Sequence, residues 1–156
     1  MPVILIVIAA RVMAEIAFPK TFAEPPLVCE TRVLPDSSHG PVLQIVFRGG
    51  VSQQRNEMSR YVQEAITAHN PVGVVFDLLD VRHGFADDIC PLLIPLYDID
   101  TKYLLPYCVI ANKRLANELR ATWYRSLYPL GCSEKCVFTE LHEGIEYLAA
   151  QLHNTA

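Results

Sequence analysis

The chain has 156 residues, 51% of them hydrophobic and 19% charged, which is enough polymer for one ordinary core and excludes an intrinsically disordered chain. Its 13 basic and 17 acidic residues give a formal charge of −4, and the basic residues are scattered rather than clustered against phosphate, which excludes a nucleic-acid binder. Five cysteines, an odd count without a paired secreted framework, predict reduced thiols acting as small hydrophobes in a cytoplasmic protein.

The chain opens on VILIVIAA, Val3 to Ala10, apolar and β-branched until Arg11 and Glu15 interrupt it. That is well short of the roughly 20 apolar residues that span a bilayer, so no transmembrane segment is expected. Met1-Pro2 supplies no basic region of the kind that begins a signal peptide. The run reads as an added strand, as a helix packed on the domain, or as sequence upstream of a start at Met13. A packed or poorly ordered extension is the expectation. PKTFAEPP, Pro19 to Pro26, follows as a linker, which sets residues 1–26 apart from a domain over 27–156.

LVCETRVL (Leu27 to Leu34) and VLQIVFRG (Val42 to Gly49) predict two strands, close enough to pair antiparallel across the turn-rich PDSSHGP. Ser52 is a candidate N-cap for QQRNEMSRYVQEAITAH, where Met58, Tyr61, Val62, Ala65 and Ile66 share one helical face. Asn70-Pro71 ends that helix. VGVVFDLLDV (Val72 to Val81) reads as a central strand buried on both sides. A helix is expected from about Asp87 to Asp100, bent or shortened at Pro95. YCVIAN predicts the next buried strand. KRLANELRATWYRSLYPLG predicts an amphipathic helix whose Lys113, Arg114, Arg120 and Arg125 lie on its solvated side. KCVFT and ELHEGIEYLAAQL supply a short strand and a closing helix. Two opening strands followed by helix–strand alternation predict an α/β fold with a mixed sheet and about four helices.

The stretch HGFADDICP, His83 to Pro91, sets two adjacent acids at an expected helix start, where either one caps the exposed N–H groups. In VVFDLLDV followed by FADDI, then YCVIANKRLANEL, then VFTELHEGIEYL, the chain resembles the STAS domain of bacterial anti-sigma-factor antagonists over about residues 27–152. The family places a segment of the form F-x-D-S-S-G-L after a hydrophobic strand. Matching Phe85 and Asp87 to its Phe and Asp sets Asp88 at the phosphorylated serine, with Ile89 and Cys90 replacing the following Ser and Gly. The resemblance implies a STAS-like fold and a non-enzymatic regulatory domain without cofactor. Its partner would be an anti-sigma-like kinase or another STAS protein. Asp88 carries one permanent negative charge where phosphoserine would bring about −1.5 to −2, so the covalent switch is expected to be lost. Asp88 and Asp87 are thus the phosphoacceptor equivalents, and Arg82, His83, Phe85 and Lys113 the expected partner-binding residues.

Rival readings follow from the same residues. Asp77, Asp80, Asp87, Asp88, His83 and Lys113 all fall near expected C-terminal strand ends, where open α/β sheets put their sites. No G-x-S-x-G, Walker loop or G-x-G-x-x-G occurs. ILIVIAARVM lacks the acidic pair that a phosphoryl-accepting receiver domain needs to hold magnesium. Cys132-x3-Cys136 with His142 falls short of four zinc ligands, so no metal is expected. An alternative keeps the fold but makes it a carrier or sensor of a small apolar ligand or lipid, with LLIPLY (Leu92 to Tyr97), Tyr103 and Trp123-Tyr124 as candidate lining. A third reading is a homodimer in which the N-terminal extension adds a strand to a sheet edge.

Overall fold

A computed structural model of the chain describes residues 4–8, 26–34, 38–50, 55–82, 90–126 and 136–155. Its six-stranded sheet runs in chain order: β1 (Ile4–Ile8), β2 (Leu27–Leu34), β3 (Val42–Gly50), β4 (Gly73–Arg82), β5 (Tyr107–Ala111) and β6 (Val137–Phe138). The first three strands pair antiparallel and the last four parallel, so the α/β fold has the expected mixed sheet. A strand precedes the two expected openers. Within the N-terminal extension, Ile4–Ile8 pair with β2, which makes the added strand the correct reading of that segment.

Among the described residues four α-helices accompany the strands: α1 (Arg55–His69), α2 (Cys90–Asp98), α3 (Lys113–Ser126) and α4 (Leu141–Thr155). Each parallel connection crosses through a helix, and because the strand order never reverses, crossovers of one hand leave all of those helices on one face. The packing agrees. Met58 and Tyr61 of α1, Leu92 and Leu96 of α2, and Leu115 and Leu119 of α3 join Ile45, Phe47, Val74 and Phe76 in a single core. Phe47 stacks on Phe76 with ring centroids 5.7 Å apart and takes Tyr61 edge-on at 6.3 Å. Among the described residues only α4 covers the reverse face, where Leu148 and Leu152 rest on Val42, Val75, Cys108 and Ile110. The first half of β4 and all of β5 are therefore apolar on both faces, which is why VGVVF and YCVIA read as hydrophobic runs.

Helix boundaries follow local chemistry. Asn70 takes a positive φ of 44° and donates its N–H to Ile66 O at 2.9 Å, closing α1 before Pro71. Asn112 Oδ1 accepts the Leu115 N–H at 3.0 Å and so caps α3. Ser52, the cap expected for α1, lies outside the described residues. Pro95 sits buried inside α2 without ending it. The chain instead widens into a π-helical turn, Ile99–Tyr103, three residues past the expected end, and Leu104 closes it in the left-handed region at φ 53° and ψ 37°. Among the described residues no helix is long and apolar enough to cross a membrane.

Candidate functional site

The C-terminal half of the reverse face is polar. Glu30 of β2 is only 7% exposed. Its carboxylate accepts hydrogen bonds from Arg32 Nε and, at 2.6 Å, from Arg48 Nη1 of β3. Antiparallel register sets Arg48 opposite Val28 and Arg32 opposite Gln44, so both guanidinium groups converge on Glu30 from neighbouring positions on one face. These bonds, Arg32 first and Arg48 second, hold the Glu30 carboxyl below its ordinary value, and Glu30 in turn raises Arg48. Arg48 Nε also reaches Asp80 Oδ2 of β4 at 3.6 Å, so one charge chain crosses three strands.

A register shift builds the second half of the site. Val46 pairs with Asp77, but Arg48 pairs with Asp80, so β4 carries one extra residue in a bulge. Positions 77 and 80 would alternate to opposite faces of a regular strand; the bulge turns both toward the reverse face. Asp77 is 8% exposed, and its carboxylate accepts from Gln44 Nε2 at 2.9 Å and from the Leu79 N–H at 3.1 Å. Together the two bonds fix the position of the carboxylate. Past this anchor β4 comes to the surface, with Leu79 38% exposed and Asp80 and Arg82 exposed beside it.

Of the residues expected from sequence, Arg82 ends β4 and Lys113 opens α3 just after β5, both exposed. The parallel pairing of β4 with β5 brings them to the same, C-terminal end of the strands. His83, Phe85, Asp87 and Asp88 lie outside the described residues, in the segment that joins Arg82 to the start of α2. Leu92 and Leu96 are core, and Tyr103 packs against it. The side chains of Trp123 and Tyr124 are outside the described set. The sequence reading missed the Glu30–Arg32–Arg48 and Gln44–Asp77 pairs. A polar residue inside VLQIVF and another inside VVFDLL were the available signal, since a buried amide or carboxylate requires a partner.

A second feature is an apolar cleft of about 160 Å³ between α4 and the β2–β3 turn. Val42, Val75, Leu148 and Leu152 form its floor, with His39 and Ile145 at the rim. His39 lies edge-on to His153, with ring centroids 6.4 Å apart. Among the described residues, no group of three or more His, Cys, Asp or Glu is arranged to hold a metal ion. Burial drives the Cys29 thiol up to about 12 and raises Cys108 as well, so neither is a ready nucleophile.

No protein-family model matches the chain, and no curated protein matches it.

Proposed function

We propose that the chain is a non-enzymatic, STAS-like regulatory domain that binds a protein partner through the β4–α2 edge and is not switched by phosphorylation there. The carrying observation is how β4 leaves the sheet. Asp77 is tied down by Gln44 and by the Leu79 N–H, and the strand beyond it presents the exposed Leu79 followed by exposed Asp80 and Arg82. An exposed apolar side chain with two charged ones just beyond it on the same strand suits recognition of a protein surface. The unreversed strand order also supports this reading, because open α/β sheets place their ligand crevices where the order reverses.

In this reading Asp88, helped by Asp87, stands at the phosphoacceptor position, and Arg82, His83, Phe85 and Lys113 surround the contact. Incubation with an anti-sigma serine kinase and ATP tests it. Binding without phosphate incorporation is expected, and Asp88→Ser should take up phosphate. Stoichiometric phosphate on residues 85–92 of the unaltered chain, or no binding at all, contradicts the proposal. The carrier alternative has less support, since Leu92 and Leu96 are core. The α4 cleft has room for about one ring, roughly the volume of a cavity that takes up benzene, which is less than an acyl chain needs. A stoichiometric lipid in native mass spectrometry would reverse that preference.

A further inference from the structure

Leu104 combines two unfavourable features. It takes the left-handed backbone conformation that bulky residues avoid, and it is 77% exposed, far more than Tyr97 at 39%, Leu79 at 38% or Ile145 at 37%. Glycine there would relieve the strain, and a polar residue would relieve the exposure. The left-handed backbone closes the preceding helical turn, and it leaves the leucine side chain projecting into solvent, available for contact.

The same chain carries a matching recess. The cleft beside α4 measures about 160 Å³. An apolar cavity of roughly 150 Å³ takes up benzene, so it accommodates the smaller isobutyl group of a leucine. The charges around the two features are complementary. Exposed Lys102 stands two residues before Leu104, and exposed Glu143 and Glu146 lie on α4 within two residues of Ile145, which lines the cleft. None of these three has an ion-pair partner among the described residues. Because Leu104 is exposed, it does not fill the cleft of its own chain.

We propose that the protein self-associates by seating Leu104 of one copy in the α4 cleft of a second copy, with Lys102 approaching Glu146. The knob and the hole are different surfaces, so the contact joins unlike patches of the two copies. This interface lies apart from the β4–α2 edge and does not depend on the reading of that edge.

Sedimentation equilibrium of the full chain tests the contact. The mass of the unaltered protein should rise above the monomer with concentration. Leu104→Ala, which removes the knob, and Ala149→Trp, which fills the hole from its exposed rim, should each remain monomeric. Mixed in equal amounts they should recover a dimer, because each supplies what the other lacks. Lys102→Glu should weaken association severalfold, and Glu146→Lys introduced with it should restore it. Leu104→Gly serves as a folding control, raising Tm by a few degrees while abolishing association. The proposal is overturned if Leu104→Ala associates like the unaltered chain, or if the mixture stays monomeric. An unaltered chain that stays monomeric up to millimolar concentration also overturns it, and would assign Leu104 to a different protein or to an apolar ligand.

Discussion

The Gln44 side-chain amide on β3 donates a 2.9 Å hydrogen bond to the Asp77 carboxylate on β4, and both residues are buried beneath the polar half of the sheet. A buried carboxylate that loses a donor keeps its desolvation cost, about 1–3 kcal/mol or more for a charged group. Gln44→Leu should therefore destabilise the fold by about 2 kcal/mol, a loss of the size expected for an unsatisfied buried acceptor. Urea unfolding checks this through a lower midpoint at unchanged slope.

Glu30 makes stability depend on acid. Arg32 and Arg48 lower its folded value below the unfolded one, which for a free glutamate is about 4.3. Its contribution is thus fully present above the unfolded value and is lost as pH falls through the folded one. Glu30→Gln should be less stable than the unaltered chain at neutral pH, and the gap should close as pH drops below about 4. Paired urea titrations across that range read the difference directly. Arg32 and Arg48 are partly exposed, so added salt should narrow the gap at neutral pH.

Gly144 is a point of close approach between α4 and the sheet. A Cβ there would come within 2.3 Å of Ile110 Cδ1 and 3.1 Å of Cys108 Sγ, both fully buried. Alanine is the better helix former by about 1 kcal/mol. Even so, Gly144→Ala should destabilise the protein by about 1–3 kcal/mol, because α4 or Ile110 must shift in a closely packed interior. Thermal unfolding should show a lower Tm, and Gly144→Val a larger drop.

Cys29, Cys108 and Cys136 are buried, and desolvation lifts the first of them to about 12. The reactive thiolate is therefore scarce and shielded at ordinary pH. Alkylation by iodoacetamide of the native protein near pH 8 should leave these three sites unmodified, and denaturant should expose all of them. Peptide mass mapping distinguishes the two states.

The strand and helix inventory was legible because each element leaves a local trace. LVCETRVL is the described β2 without adjustment, since its branched residues are flanked by prolines and a turn. Asn70-Pro71 ended α1 for a reason carried by those two residues alone. Pro95 lies inside α2, which ends at Asp98 three residues later, and the sequence alone does not say whether a proline bends a helix or stops it. VILIVIAA was ambiguous for a related reason: a short apolar run suits a strand or a helix until a neighbour is known, and β2 is that neighbour.

From the sequence alone came the α/β class, the mixed sheet and the chain positions of its elements, because periodicity and turn chemistry act over a few residues. Tertiary structure decided which residues of distant strands meet. Gln44 and Asp77 are 33 positions apart, and Glu30 and Arg48 are 18 apart. Only the register of β2, β3 and β4, with one bulge that turns Asp77 and Asp80 to a common face, makes them neighbours. Register depends on the whole packed face and on a single extra residue, so no local pattern encodes it.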